Sequence, residues 1–309
     1  MKELDALRKY EIGVLAGGSS SEREISLKSG RAVFDALREA GLDAALIDVK
    51  EDDFALLVNE AGIDLAFIAL HGRFGEDGTV QKMLFERGVL YTGSGPEASR
   101  MALDKIASKE RLSGKDLKTP EYMVTELGES IPYESVWFPC VVKPQHEGSS
   151  IGLTVVSSKE HLAEAVDRAS NYSRRIIIEK FIEGREITVG ILENRALPVV
   201  EIVPEGGCYD FNAKYQSANT RYIVPADIDE DVFKRAQETA VNAHNALGCE
   251  EFSRVDMRLS SEGELFILEV NTIPGLTERS LLPMAAKAVG LSFTELCVKI
   301  LVGAIRKVK

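Results

Sequence analysis

Two apolar runs late in the chain, Arg254-Val255-Asp256-Met257-Arg258 and Phe266-Ile267-Leu268-Glu269-Val270-Asn271, carry ionisable or amide side chains at alternate positions. In a strand, successive side chains point to opposite faces. Arg254, Asp256 and Arg258 therefore share one face of the first run, and Glu269 and Asn271 share one face of the second, backed by Phe266, Leu268 and Val270. The polar stretch Ser260-Ser261-Glu262-Gly263-Glu264 predicts a hairpin connection that lays the strands side by side and brings Asp256, Glu269 and Asn271 together. Two carboxylates and an amide are hard oxygen donors. Mg2+ commonly takes one or two carboxylates with substrate phosphates and water, so the trio suits a metal-nucleotide better than zinc. An edge hairpin with a solvated polar face shows the same alternation. What favours a site is the loop Asn271-Thr272-Ile273-Pro274-Gly275, which follows directly and is able to present backbone N–H groups beside the carboxylates.

Five further segments carry chemistry. Val14-Leu15-Ala16-Gly17-Gly18-Ser19-Ser20-Ser21-Glu22 is a strand entering a Gly/Ser loop before a helix, an arrangement that presents N–H groups to an anion. The GxGxxG spacing of a dinucleotide site is missing, and Glu22 would repel a pyrophosphate. A carboxylate there suits a substrate ammonium group, with stabilisation of the helix N-terminus as the equally weighted alternative. His71 falls beside Gly72 at the C-terminal end of a predicted parallel strand, where open α/β sheets bind ligands, although a lone histidine is as often structural. Lys143 leaves an apolar strand for the loop Gly148-Ser149-Ser150; an unpaired charge there is costly, which favours phosphate neutralisation over a mobile surface hairpin. This lysine precedes its loop, unlike that of the GxxxxGK[ST] P-loop. Glu179 ends the apolar run Ile176-Ile177-Ile178 and is able to accept from an adenine amino group or a ribose hydroxyl, against a default of surface salt bridging. Cys208-Tyr209-Asp210-Phe211-Asn212-Ala213-Lys214-Tyr215 reads as an ordered lid, with an interface loop as the alternative; Lys214 would reach phosphate and Tyr215 close over a substrate.

These groups need elements to hold them. Residues 11–100 alternate apolar strands (12–16, 44–49, 65–70 and 90–91) with amphipathic helices (26–40, 54–61 and 79–87), which predicts a parallel sheet of βαβ units. A Lys-rich helical segment follows between Arg100 and Pro120. Short strands at 140–143, 153–156 and 176–179 with a helix at 160–169 predict a smaller α+β unit. A helix at 231–247, the hairpin and a closing pair of helices complete the chain.

At 309 residues the chain has room for two or three domains with proper cores. A formal net charge of -12 argues against nucleic acid or an anionic membrane as partner, so a phosphate ligand requires a local basic cluster. Cys140, Cys208, Cys249 and Cys297 are scattered without CxxC pairing, which predicts neither a zinc site nor a disulfide framework and fits a reducing cytoplasm. The N-terminus lacks a signal-peptide pattern, and the late apolar stretch LCVKILVGAI is short and contains Lys299, so a packed helix is expected there.

Taken in order, GGSSSEREIS, HGRFGEDGTVQ, YTGSG, LDK at Leu103 to Lys105, VVKPQHEGSSIG, IEKFIEGRE, YDFNAKY, RVD and LEVNTIPGLTERSL resemble the D-alanine:D-alanine ligase family of the ATP-grasp superfamily over essentially the whole chain. Each motif is weak alone; the ordered set is specific. The resemblance implies a three-domain fold of α/β and α+β class: an N-terminal parallel-sheet substrate domain over 1–100, a central ATP-grasp subdomain over 101–184, and a C-terminal ATP-grasp catalytic domain over 185–309. ATP would lie between the antiparallel sheets of the last two. Lys105, Lys143 and Lys214 then look like phosphate contacts, Lys180 and Ile182 like backbone contacts to adenine, Phe181 like an apolar adenine wall, and Glu179 and Glu186 like adenine and ribose partners. Asp256, Glu269 and Asn271 match ligands for two Mg2+ ions, for which Mn2+ would substitute, with room left for a monovalent cation.

For chemistry, the resemblance implies ligation of two D-alanines through a D-alanyl phosphate, for peptidoglycan precursor synthesis. Glu22 would hold the first D-alanine's ammonium near His71, Ser149 and Tyr215 would clasp the lid with Glu22, and Ser280 would meet the second D-alanine's carboxylate. Arg254 and the Gly275 N–H would stabilise the tetrahedral oxyanion. A cytoplasmic homodimer is expected. Phe181 stands where many relatives have Trp, and Gln145-His146 replaces a more usual Ser-Arg pair, which puts loop dynamics in question. Tyr215 favours a peptide-forming enzyme over one joining D-lactate. A ligase with another second substrate, a regulatory protein without turnover and a dehydrogenase are the alternatives; the intact Arg254, Asp256, Glu269 and Asn271 set speaks against the second and the missing fingerprint against the third.

Overall fold

The computed structural model describes residues 2–126, 128–129, 133–204 and 220–307. The chain opens with α1 (Lys2–Leu7), β1 (Ile12–Gly17), α2 (Arg23–Glu39), β2 (Ala44–Val49), α3 (Phe54–Ala61), β3 (Leu65–Ile68), α4 (Thr79–Glu86) and β4 (Leu90–Tyr91). The four strands form one parallel sheet in the order β2-β1-β3-β4. Every residue of β1 and β3 is buried, because a parallel strand covered on both faces has no polar side; hence the unbroken apolar runs.

Two boundaries differ from expectation in ways that matter. The strand read as 65–70 ends at Ile68, which frees Ala69, Leu70 and His71 to leave the sheet. The helix read from Ser26 begins three residues earlier, at Arg23, with the Glu22 carbonyl accepting from the N–H groups of Ile25 and Ser26. Polar residues in its first turn hid that start from apolar periodicity.

The segment read as a single helical stretch is two helices, α5 (Pro96–Leu103) and α6 (Lys105–Ser113). Asp104 divides them. Its backbone is extended (φ -76°, ψ 98°), and its Oδ1 accepts from the N–H groups of Ile106 at 3.0 Å and Ala107 at 3.1 Å, capping α6.

Strands β5 (Tyr122–Glu126), β6 (Cys140–Pro144), β7 (Thr154–Val156) and β8 (Arg175–Lys180) form an antiparallel sheet in the order β5-β8-β6-β7. Its apolar face is covered by α7 (Leu162–Ser170). A third sheet, also antiparallel, has the order β11-β10-β9-β12-β13 and contains β9 (Gly184–Leu192), β10 (Arg195–Val203), β11 (Arg221–Ile223), β12 (Phe252–Ser260) and β13 (Leu265–Asn271). Helix α8 (Glu230–Ala246) packs on it through Ala236, Ala240 and Ala243, small residues at helical spacing. Helices α9 (Leu281–Ala288) and α10 (Phe293–Arg306) close the chain.

The predicted hairpin is present as β12 and β13, in a register that sets Arg254 opposite Asn271 and Asp256 opposite Glu269. Beyond Asp256 the ladder slips, pairing Met257 with Ile267 and leaving Leu268 unpaired. This irregularity corrects one expectation: Leu268 lines the same cavity as Glu269 instead of backing it, because an extra residue in one strand breaks the alternation.

A single apolar cluster ties the two ends of the chain together, with Val33 and Leu37 of α2 among Leu282, Leu296 and Leu301 of α9 and α10. Each such buried side chain contributes about 1.5–3 kcal/mol. The packing fixes the N-terminus of α2, and Glu22 with it, against the sheet that carries the hairpin. Among the described residues no single helix is long and apolar enough to cross a membrane; α9 and α10 have the composition together but meet at 103° and bury their apolar faces in this cluster.

Candidate active site

The hairpin register brings the expected carboxylates and amide to one place. Asp256 is held on both oxygens: Arg254 donates to Oδ1 at 2.8 Å and to Oδ2 at 2.7 Å, Asn271 donates to Oδ2 at 3.1 Å, and Thr188 of β9 donates to Oδ1 at 2.6 Å. Glu269 faces Asp256 across the ladder, 3.8 Å from the ammonium of Lys105 at the start of α6. Among the described residues no three His, Cys, Asp or Glu side chains are grouped to hold a metal ion. Two carboxylates and one amide are instead a partial, hard-oxygen set, fitted to an ion that takes its remaining ligands from phosphate and water.

One cavity opens between the second and third sheets. Lys105, Lys143, Glu179, Phe181, Glu186 and Glu269 are among its walls. Lys143 and Glu179 stand diagonally across β6 and β8, with the lysine ammonium 2.9 Å from Glu179 Oε1. A second buried ammonium, that of Lys109, lies 2.8 Å from the same oxygen. Burial alone would raise the Glu179 pKa, but the charges of Lys109 and Lys143 outweigh it and hold the carboxyl below its ordinary value. Burial lowers the Lys105 pKa, and Glu269 is the main opposing influence. The Arg258 guanidinium sits 5.3 Å from the centre of the Phe181 ring, donates to the Ile182 carbonyl at 3.1 Å and pairs with Glu186 at 3.2 Å. Lys180 lines the cavity too, with its ammonium paired to exposed Glu121 at 3.1 Å.

A second cavity adjoins the first. Glu22, His71, Ser149, Arg254, Gly275 and Ser280 all line it, together with Glu269 and Asn271. Ser149 Oγ donates to Glu22 Oε1, joining residues 127 positions apart. Ser149 and Ser150 adopt positive φ (49° and 59°), an uncommon conformation for non-glycine residues, in the turn that brings the 148–150 loop to α2. Two glycines make room for the carboxylate: a Cβ on Gly148 would lie 2.6 Å, and one on Gly72 2.9 Å, from Glu22 Oε2. His71 is buried, with Nε2 3.2 Å from Ser29 Oγ. Desolvation lowers its pKa to about 4, so the ring is neutral near pH 7. Ser280 occupies the N-cap position of α9; its Oγ accepts from the Thr277 N–H at 3.1 Å, and a Cβ on Gly275 would come within 3.2 Å of it. The predicted lid residues Lys214 and Tyr215, with the rest of Cys208 to Ser217, lie outside the described residues.

Four residues of this region escaped the sequence reading. Glu76 is buried, accepts from the Gly72 N–H at 2.7 Å, and has its pKa raised to about 8 by burial and then by the neighbouring Glu22 charge. Its only signal was membership of the GEDG stretch. Lys109 repeats Lys105 one helical turn on, a spacing that puts both on one face. Asp104, besides capping α6, accepts from the Gln145 amide at 2.8 Å and lies 3.6 Å from His146. The unusual Gln145-His146 pair is therefore tied to α6. Thr188 carried no signal at all, since only strand pairing places it beside Asp256.

The family model described as D-ala D-ala ligase C-terminus matches residues 118–302, more than half of the chain. The chain is 45% identical over 307 residues to a D-alanine–D-alanine ligase of Geotalea uraniireducens (strain Rf4), covering 99% of each chain. It is 46% identical to one of Geobacter sulfurreducens, covering 99% of this chain and 97% of the relative. The crystal structure of a Bacillus anthracis D-alanine–D-alanine ligase complexed with ATP superposes with a TM-score of 0.83 at 30% identity, over 96% of this chain and 98% of that one. The VanG D-Ala:D-Ser ligase of Enterococcus faecalis superposes with a TM-score of 0.80 at 29% identity, over 94% and 98% of the two chains. With the family match and near-full-length identity of this order, the chain belongs to the D-alanine–D-alanine ligase family.

Proposed function

We propose that the protein joins two D-alanine molecules into D-alanyl-D-alanine, converting ATP to ADP and phosphate, in the supply of peptidoglycan precursors. The observation that carries this reading is the position of Glu269, which lines both cavities, so that a nucleotide in one and an amino acid in the other would meet at a single carboxylate.

In the first cavity, Lys105 and Lys143 offset phosphate charge, Glu179 accepts from the adenine amino group, Phe181 offers an apolar face and Glu186 takes the ribose. Asp256, Glu269 and Asn271 would hold Mg2+, or Mn2+ in its place, which when bound offsets charge on the transferring phosphoryl group. In the second cavity, Glu22 pairs with the first substrate's ammonium group while neutral His71 adds no competing charge. The D-alanine carboxylate attacks the γ-phosphate, giving an acyl phosphate and ADP. The amine of a second D-alanine, its carboxylate beside Ser280, then attacks the acyl carbon with loss of a proton. Arg254 and the Gly275 N–H stabilise the oxyanion, and phosphate departs. Ser149 closes the loop against Glu22, which keeps water from the acyl phosphate. Lid roles for Lys214 and Tyr215 rest on the sequence resemblance.

The same reading includes domains at 1–100, 101–184 and 185–309, supported by three sheets whose strands span 12–91, 122–180 and 184–271. It also includes a homodimer in the cytoplasm, supported by the resemblance and by unbridged, buried Cys140, Cys249 and Cys297. The test is ADP release with D-alanine, D-serine or D-lactate as acceptor, followed by mass analysis of the product. D-alanine should give the dipeptide with one ADP each. ADP release that is independent of any D-amino acid would overturn the reading, and a mixed product formed in preference with D-serine or D-lactate would transfer it to another second substrate.

A further inference from the structure

Lys109 is 1% exposed, and none of the steps above uses it. A lysine is rarely buried so fully without a task, since removing its ammonium from water is costly and here burial lowers its pKa. It stands behind the nucleotide cavity, one helical turn after Lys105, its ammonium 2.8 Å from Glu179 Oε1 and 5.3 Å from the centre of the Tyr122 ring. Tyr122 is the β5 neighbour of Glu179 in the sheet. Lys143 reaches the same carboxylate oxygen at 2.9 Å, but Lys143 also lines the cavity where phosphates would sit. Two cations thus serve one carboxylate, and one of them has a second claim on it.

From this arrangement we infer that Lys109 is a positioning residue: it fixes Glu179 as a hydrogen-bond acceptor and so makes the cavity select a purine that donates from its 6-amino group. The inference rests on the nucleotide reading of the cavity. When phosphates draw the charge of Lys143, Lys109 remains with Glu179 and keeps the carboxylate anionic and aimed. An anionic acceptor welcomes the amino group of adenine and opposes the 6-oxo group of hypoxanthine, which places acceptor against acceptor. Without Lys109, burial favours a protonated Glu179, which is able to donate as well as accept. The discrimination then fades. Buried polar groups that lose their partner give this kind of selectivity its size.

The experiment measures binding of ATP and of ITP, each with Mg2+, by calorimetry, for the full-length wild type, Lys109→Met and Lys109→Arg, alongside KM values in the ADP-release assay. Wild type should prefer ATP at least tenfold. Lys109→Met should lower the ATP-to-ITP preference at least tenfold by weakening ATP more than ITP, whereas Lys109→Arg, which retains a fixed charge, should stay within about threefold of wild type. If Lys109→Met does not fold, the arginine variant still decides, because a collapsed preference there overturns the charge-based inference. An equal loss for ATP and ITP in folded Lys109→Met marks a structural role and overturns it, as does a wild type that binds both alike. Failure of the ligase reading would appear instead as ATP binding without D-alanine-dependent ADP release.

Discussion

Replacing Gly148 with alanine tests the site with a single methyl group. Its Cβ would lie 2.6 Å from Glu22 Oε2 and 3.1 Å from Oε1, whereas nonbonded contacts of carbon are optimal from about 3.5 Å, a shortfall of about 0.9 Å at the nearer oxygen. Gly148 is not among the positive-φ glycines, so space is the sole obstacle. The atom struck is the free end of a side chain, which can turn aside, and the fold should survive with little change in melting temperature. Turning aside removes the Glu22 carboxylate from Ser149 and from the place proposed for the substrate ammonium. A hydrogen bond to a charged group is worth about 1.5–3 kcal/mol, so KM for the first D-alanine should rise about 10- to 100-fold. KM for ATP, bound in the neighbouring cavity, should change less than about threefold. Gly114→Ala is the control: its Cβ meets nothing closer than 3.4 Å, in right-handed helical backbone (φ -67°, ψ -2°), and kinetics should be unchanged. A folded Gly148→Ala enzyme with wild-type KM for D-alanine, or with both KM values raised equally, would refute the reasoning.

Glu269→Gln should lower turnover at least about 100-fold with the fold intact, because the carboxylate shared by both cavities loses its charge while its size is kept; near-wild-type turnover with ordinary Mg2+ dependence would remove Glu269 from the metal set. Glu251 packs against Gly303 beside Lys307, and burial, only partly offset by Lys307, raises its pKa from 4.5 to about 7. The folded state therefore holds a proton that the unfolded state has released between those values, and stability contributed by that proton is lost as pH rises through about 7. Thermal unfolding of wild type and Glu251→Gln from pH 4 to 8 should show wild type losing ground to the variant across this window; parallel curves would count against the buried carboxyl.

Much of the site was legible locally. Alternation in Arg254 to Arg258 and between Glu269 and Asn271 specifies which side chains share a face, and a short polar connection between two strands pairs them; both are properties of neighbouring residues. Lys143 stood out because a charge within an apolar run demands a partner; Glu179, whose segment alone pointed by default to a surface salt bridge, is the buried partner that the structure supplies. Element type was similarly legible in the buried strands β1 and β3. Boundaries were less so, because Asp104 caps α6 through its side chain and Glu22 opens α2 through its carbonyl, polar contacts that apolar periodicity does not register.

Residue type, period and the ordered motifs were thus enough to identify a family and to nominate the groups on each strand. Only tertiary structure decided which nominated groups meet. Glu22 reaches Ser149 because α2 is clamped to α9 and α10 by an apolar cluster drawn from both ends of the chain, and because Gly148 and Gly72 leave room beside the carboxylate. Thr188 reaches Asp256 through a strand pairing 68 positions apart. Leu268 turns into the cavity through a slip in the ladder. Local periodicity records where a side chain points relative to its own element; long-range packing and register set where that element lies, and the shared position of Glu269 between two cavities follows from the latter.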